Sequence, residues 1–438
     1  CRARDTLRAR AGCRLGCGLG LGLGLGLGLG LGLGLGVARP PLYNRRGPSV
    51  RVLYVNHSRS ISGSDISLAT LLRHLSPAVE AHLLAHFRLP LSGLFELDPA
   101  RVYRDRAMPQ AMTTLAGGRL PPHQIVAHGI KSAIAPGTIA RLRRRWDIEL
   151  VHANESTQAA YALSASLLGL PVVVHVRGRV DPVRAAARLL DQLAARPRVA
   201  FVAIDAEVQA SLSPLCRSRC RVIHNPVHFD RAGTPEDRAR LRARWGIPAD
   251  ACVVGQVATL HAYKGVWRVL DLAQELCADH PELHFVLVGA DPPEGGQAEA
   301  LRAAARERGL EGRFHLVGHH EDLPAVYAAL DIALCLFGEQ LGGIGRTAFE
   351  AAMLGLPVVA TLPGARGSDT VRDGEAGRVL EPDDTAGVAR AVRELVTSPA
   401  ARAELGQRAR AAVGARHAAA VVAAQVEALY RELLGVAP

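Results

Sequence analysis

Only two lysines occur in the chain, Lys131 and Lys264; every other fixed cation is arginine. Lys264 stands in "HAYKGVW", between the end of an apolar run and the start of an amphipathic one. A point charge at such a junction suits a diphosphate, although an isolated lysine is also an ordinary solvated residue. The most informative text is "GEQLGGIGRTAFEAAMLGLPVVAT", in which Gly342, Gly343 and Gly345 precede a helical stretch carrying Arg346, Thr347 and Glu350. Glycines admit close backbone approach to an anion, and free amides at a helix start bind phosphate with the helix dipole behind them. Glu350 falls about one turn further in, where a carboxylate can accept two hydrogen bonds from a ribose diol. A tight strand-to-helix turn with a solvated glutamate explains the same text, so both readings stay open on these residues alone. Glycine between a strand and a helix recurs at Gly63 in "SISGSDIS". His175 and Arg177, in "HVRG", close another strand, and one of the two is expected to face a cleft. Seventeen histidines occur in all, and any single one is more often structural than catalytic.

Positioning these residues is the task of short apolar runs alternating with amphipathic stretches from Val50 onward, a pattern that predicts βαβα units. "VRVLYVN" reads as a strand and "DISLATLLRHL" as the helix after it, with Asp65 in its first turn complementing the dipole. "IELVHA", "PVVVHV", "VAFVAI" and "CRVIHNPV" continue the first series. A second series runs through "ACVVGQVATL", "LHFVLVGA", "FHLVGH", "DIALCLF" and "PVVAT", each but the last followed by a predicted helix. Continuous rather than alternating apolar runs mean that both sheet faces are covered, which predicts parallel sheets. The expected fold class is therefore α/β, two doubly wound domains facing across a cleft at the carboxyl ends of their strands. Expected boundaries are a tail over 1–46, a first domain over 47–228, a polar linker over 229–250, a second domain over 251–412 and a final helix within 413–438.

The formal charge of +11 resembles a nucleic-acid signal, but residues 1–46 hold eight arginines against Asp5 alone, leaving +4 on the rest. Aromatic residues make up only 4% of the chain, so a stacking platform for single strands is not expected and nucleic acid is excluded as a partner. The mildly basic body suits anionic substrates or work near anionic lipid. The uncharged Leu-Gly run from Leu15 to Ala38 is long enough to span a bilayer, but half of it is glycine, so a disordered tail is the expectation. Cys252, Cys277 and Cys335 lie in apolar text and read as buried small hydrophobes. Cys216 and Cys220 lack a second pair for zinc, so no metal site is expected and a reducing cytosol fits.

Together these motifs resemble the retaining glycosyltransferases of family 4, the group 1 glycosyl transferases, over roughly Val50 to Leu434. "GQVATLHAYKG", "FHLVGHHEDLPAVYAALDIALCL", "RTAFEAAMLGLPVVAT" and "VRDGEAGRVLEPDD" carry the resemblance in the second half, and "SGSD" and "HNPVHF" in the first. The resemblance implies the GT-B fold, two Rossmann-like domains, the first on the acceptor side and the second binding the nucleotide sugar. It further implies that the last helix crosses back onto the first domain. Lys264 and the backbone around Gly343 and Gly345 would meet the donor diphosphate, and Glu350 the ribose hydroxyls. Gly318, His319 and His320 would frame the base, and Gly63 would give room for donor phosphate and acceptor. Two positions depart from the family: Thr259 stands where an arginine is usual, and Gly342 where a glutamate meets the sugar. Arg346 or Arg366 would compensate the first and Glu339 the second; Arg177 stands near a position where relatives carry histidine.

The implied activity is transfer of a sugar from a UDP- or GDP-linked donor to a glycan or lipid-linked acceptor, with retention and without cofactor or metal. The acceptor would be read by loops such as residues 87–145. A cytoplasmic enzyme, with peripheral association at the inner face of the plasma membrane, is the matching location. The alternatives are a catalytically silent nucleotide-sugar-binding protein of the same fold and a sugar-nucleotide epimerase.

Overall fold

The computed structural model describes residues 49–436 except 60, 92, 107, 109–121, 181–184, 293–294, 338–344 and 365–368, with side chains also left aside over 122–132 and 185–186. The expected tail lies outside the described residues.

Strand β1 (Val50–Asn56) is followed by α1 (Gly63–His74), β2 (Val79–His86), β3 (Val102–Asp105) and α2 (Pro122–Trp146). Then come β4 (Leu150–Ala153), α3 (Ala159–Leu167), β5 (Val172–Val176), α4 (Ala185–Ala194) and β6 (Val199–Ala203). Two short helices, α5 (Ala206–Ala210) and α6 (Pro214–Arg217), lead to β7 (Cys220–Val222). These seven strands form one parallel sheet in the order β3-β2-β1-β4-β5-β6-β7.

The second lobe starts with α7 (Pro235–Trp245), β8 (Cys252–Val257), α8 (Val266–Cys277), β9 (Leu283–Val288) and α9 (Gln297–Glu307). It continues through β10 (Phe314–Gly318), α10 (Leu323–Ala329), β11 (Ile332–Cys335), α11 (Arg346–Met353), β12 (Val358–Thr361) and β13 (Arg378–Leu380). Three helices finish the chain: α12 (Thr385–Thr397), α13 (Pro399–His417) and α14 (Ala419–Leu434). The second sheet is also parallel, ordered β10-β9-β8-β11-β12-β13.

Strands β5, β6, β9 and β11 are buried along their whole length because helices cover both faces. In the first lobe Leu53, Val151 and Val174 pack toward α2, α3 and α4, while Val52, Tyr54 and Val173 pack toward α1 and α14. In the second, Phe349 and Val413 belong to the core under α10, α11 and α13, and Leu270 and Val392 to the one under α8, α9 and α12. Strand order reverses at β1/β4 and at β8/β11, and these reversals open the crevices in which doubly wound sheets hold ligands.

Two segments carry more structure than their composition suggested. Residues 87–145, expected as acceptor-reading loops, contain β3 and α2. Residues 229–250, expected as a linker, contain α7, whose Leu241 and Trp245 join the second lobe's core. Polar text forms this helix because its polar groups are satisfied inside the protein. Arg242, 1% exposed, donates to the carbonyls of Ala329, Ala249 and Ala251 at 3.0, 3.0 and 2.7 Å, and to Asp331 Oδ2 at 2.7 Å. Asp331 also accepts from Val253 N and from Arg238, both at 2.7 Å.

The chain crosses between the lobes twice, and the crossings are paired. Val227 N donates to His417 O at 2.8 Å, and Val227 bridges Ala418 in parallel register. Burial holds the His417 ring down at about 3, so it is neutral, and its Nδ1, 2.8 Å from Asn225 O, carries the proton. After this second crossing α14 lies on the first lobe, its Tyr430 hydroxyl 2.8 Å from that of Tyr54.

Candidate active site

At the β8/β11 reversal two loops are held against each other by one buried amide. Gln256, at the end of β8, donates from Nε2 to Lys264 O at 2.8 Å and accepts from Leu336 N at 3.0 Å. A short helical turn, Ala262–Lys264, brings the chain round to Gly265, which has φ +72°. A Cβ there would lie 1.6 Å from Leu336 O, so only glycine lets the lysine loop pass beneath the end of β11.

This geometry fixes Lys264. Its Nζ lies 4.6 Å from the ring centroid of Phe337 and 5.5 Å from that of Tyr263, and burial lowers its pKa. Phe337 in turn rests on Gly345, where a Cβ would lie 2.0 Å from the ring. Gly345 caps α11, so the lysine and a helix N-terminus flank one aromatic ring across the reversal. Both supply positive potential to a common point, the arrangement a diphosphate needs. Thr259 is exposed on the rim, its carbonyl accepting from His261 N at 2.7 Å. The expected residues Gly342, Gly343, Glu339 and Arg366 fall outside the described residues.

Glu350 is 4% exposed, which removes the solvated-glutamate reading. Its Oε1 accepts from Arg346 Nε at 2.5 Å and its Oε2 from the Tyr327 hydroxyl at 3.3 Å. Thr347, next to Arg346, accepts from the same tyrosine through its carbonyl at 3.3 Å. Arg346 also leaves its own lobe: Nη1 donates to Ser67 Oγ at 2.8 Å and to Pro226 O at 3.1 Å. Above it sits Gly63, where a Cβ would come 4.0 Å from Arg346 Cδ. The first lobe's glycine turn therefore meets the second lobe's glycine turn through this arginine.

The Gly63 turn is itself anchored. Asp65 is fully buried and accepts from Asn56 Nδ2 at 2.6 Å, Ser62 N at 2.8 Å and Ser62 Oγ at 2.5 Å. The aspartate expected merely to complement a dipole thus ties the end of β1 to the start of α1. In the second lobe Gly318 closes β10 with φ +78° and accepts from Gly289 N at 2.9 Å. Of the two histidines that follow, His319 is exposed, whereas His320 packs edge-on against Trp245 at 5.6 Å.

His175 and Arg177 require a correction. They lie two apart on one strand edge and share a side: Arg177 Nη2 is 3.5 Å from His175 Nδ1. Depth rather than direction separates them. His175 is 1% exposed, stacked on His152 with nitrogens 3.3 Å apart, and burial lowers its pKa strongly. A neutral, enclosed imidazole is not placed to exchange protons with a ligand. Arg177 reaches the crevice, but its donors are engaged by Asn154 Oδ1 at 2.7 Å, Asn154 O at 2.9 Å and Asn225 Oδ1 at 2.5 Å. It ties β4 and β5 to the first lobe crossing.

Sequence reasoning missed Gln256, Ser67, Tyr327 and the asparagines. Gln256 alone carried a signal, a polar residue inside the apolar run "ACVVGQVATL". The others are recognised only through partners distant in the chain. The buried cysteines behave as expected: burial raises the Cys252 and Cys277 thiols to about 11 and Cys335 to about 12.

Two doubly wound lobes, with a cation and a helix start converging at the reversal of the second, define a sugar-nucleotide enzyme of the GT-B type. Comparison with known proteins agrees. Residues 61–231 match the Glycosyltransferase Family 4 profile and residues 237–412 match Glycosyl transferases group 1. The chain is 29% identical over 283 residues to the 2-deoxystreptamine glucosyltransferase of Streptomyces kanamyceticus, covering 59% of this chain and 71% of that one. It is 31% identical to a D-inositol 3-phosphate glycosyltransferase of a Nocardioides species, covering 61% of this chain but only 58% of that protein's length. Among solved structures, Anabaena HepE in complex with UDP-glucose matches with a TM-score of 0.68 at 20% identity, over 87% of this chain and 99% of that one. Sucrose-phosphate synthase from Thermosynechococcus elongatus matches with a TM-score of 0.67 at 17% identity, over 88% and 99%. The chain belongs to the group 1, family 4 glycosyltransferases, and is a nucleotide-sugar-dependent glycosyltransferase.

Proposed function

We propose that this chain transfers a hexose from a UDP- or GDP-linked donor to a glycan or lipid-linked acceptor with retention of configuration. The observation that carries the reading is the Lys264–Phe337–Gly345 stack, built across the β8/β11 reversal and locked by Gln256. The donor diphosphate lies between the Lys264 ammonium and the start of α11, so charge growing on the leaving group meets preorganised positive potential. Glu350 takes the ribose diol, and the base lies along Gly318 and His319. Both the UDP-glucose complex of HepE and the GDP-mannose-dependent mannosyltransferase of Mycolicibacterium smegmatis, 30% identical over 236 residues, support a diphosphonucleoside donor. No helix among the described residues is long and apolar enough to cross a membrane; peripheral association on the cytoplasmic face is the location we propose.

The test is a donor screen following nucleoside diphosphate release, with Lys264→Ala alongside. Release from one donor, reduced on the order of 10²-fold in the variant, is expected from the loss of a preorganised charge at the leaving group. Tight donor binding without release in the presence of cell extract would favour the silent binder instead. An isomerised donor would favour the epimerase.

A further inference from the structure

A cavity of about 230 Å³ lies between α8 and α12, on the opposite face of the second sheet from α11. Its floor is Leu336, just past β11, and Thr361, the last residue of β12. Leu272 and Val388 line its walls, and most of its surface is apolar. Among the described residues, none proposed to hold the donor lines it.

Three charged side chains stand around it. Asp271 accepts from Arg308 at 2.6 Å and Glu275 from Arg393 at 3.4 Å, so both carboxylates are already matched. Arg268 is half-buried and donates from Nη1 to a carbonyl, Pro382 O, at 2.6 Å; it makes no ion pair among the described residues. The unbalanced charge that faces the cavity is therefore positive, and a guanidinium fork matches a carboxylate. An apolar cavity of roughly 150 Å³ holds one benzene ring. This one therefore has room for a single ring and a small anionic head group.

The floor is shared with the donor stack. Leu336 N is held by Gln256 Oε1 at 3.0 Å, and Leu336 O lies against Gly265. Thr361 Oγ1 donates to Phe337 O at 2.8 Å, and the Phe337 ring lies 4.6 Å from the Lys264 ammonium. A molecule packed on Leu336 and Thr361 favours the arrangement of Leu336 and Phe337 that places Lys264.

We propose that this cavity is an effector site for a compact apolar carboxylate, and that its occupation strengthens nucleotide binding. The coupling rests on the donor reading above; the binding of the carboxylate does not.

The full chain is titrated with benzoate, benzyl alcohol and benzylamine, each with and without UDP. Benzoate is expected to bind on the order of tenfold or more tighter than the alcohol, as one charge-assisted contact implies, and the amine weaker than either. Arg268→Gln keeps a donor for Pro382 O without the charge and should bring benzoate down to the alcohol; Arg268→Lys should restore part of the preference. Thr385→Trp, at the exposed rim, should block all three compounds while UDP affinity and melting temperature stay those of the parent. Val388→Phe fills the same space from the wall and should do likewise. Saturating benzoate should tighten UDP by about fivefold or more, and UDP should tighten benzoate by the same factor. Equal affinity for acid and alcohol, or benzoate binding that survives Arg268→Gln and Thr385→Trp, overturns the site. Benzoate bound with no change in UDP affinity overturns its role as an effector. A chain that binds UDP but none of the three compounds overturns this proposal and leaves the donor reading standing. One that takes benzoate through Arg268 but binds no nucleotide sinks the donor reading and leaves the carboxylate site.

Discussion

Arg346 is the residue on which the two lobes and the expected ribose carboxylate converge, so its removal should be felt in both stability and donor binding. Removing one member of a buried ion pair while the other keeps its charge costs roughly 3–5 kcal/mol. The Arg346 and Glu350 side chains are 15% and 5% exposed, and Glu350 keeps the Tyr327 hydroxyl at 3.3 Å. Partial exposure and that surviving partner bring the expectation for Arg346→Ala to about 2–3 kcal/mol. Ser67→Ala removes one of the two hydrogen bonds that Arg346 makes to the first lobe and leaves the one to Pro226 O, a loss of about 1.5 kcal/mol. Denaturant unfolding measures both, and the double variant Arg346→Ala/Glu350→Gln completes a cycle. If the pair acts as described, the double variant is destabilised by at least ~1 kcal/mol less than the two single effects combined. UDP affinity supplies the second readout: Arg346→Ala should weaken it, because Glu350 is no longer held toward the crevice. Effects that add within about 0.5 kcal/mol, together with unchanged UDP affinity, would refute the coupling.

Arg242→Ala should destabilise the chain by roughly 3 kcal/mol, since Asp331 keeps Arg238 but three carbonyls lose their buried donor; the unfolding midpoint in urea checks this. Gly265→Ala forces a left-handed backbone and a Cβ against Leu336 O, so donor binding should be lost before the fold is; nucleotide titration beside a melting curve separates the two. Burial, then the charges of Asp205 and Asp369 against a weaker pull from Arg179, raises Glu207 to about 7 from an ordinary 4.5. A raised carboxyl favours the folded state when protonated, so this contribution is complete below pH 4.5 and is lost as pH rises through about 7. Discounted for partial exposure, the loss is about 1–2 kcal/mol, and Glu207→Gln should flatten the melting temperature between pH 5 and pH 8. An unchanged pH slope in that variant would remove Glu207 as its source.

The surroundings of Lys264 and Gly345 were legible because their requirements are local. A glycine that must adopt positive φ beside a lysine, and a glycine run before a helix, are written within a few residues of one another. Most of the covalent order of strands and helices was legible for the same reason, since continuous apolar runs report two covered faces whatever the topology, but β2, β3 and β13 and the helices α2, α12 and α13 were not read. What escaped was every function shared between distant segments. Helix α7 looked like a linker because more than half of its residues are charged, yet Arg242 finds three carbonyls and a carboxylate that lie up to 89 positions away. Arg346 read as a phosphate ligand from its place after Gly345, but Ser67 lies 279 positions upstream and turns it into a bridge between lobes. Arg88 and Arg106 are unremarkable in a chain that uses arginine for nearly every cation; only parallel register in adjacent strands brings them to the Phe87 ring. The glutamate that resemblance assigned to ribose is thus also the anchor of the interlobe bridge. A donor that engages Glu350 must share it with Arg346, so nucleotide binding and the spacing of the lobes are one equilibrium rather than two.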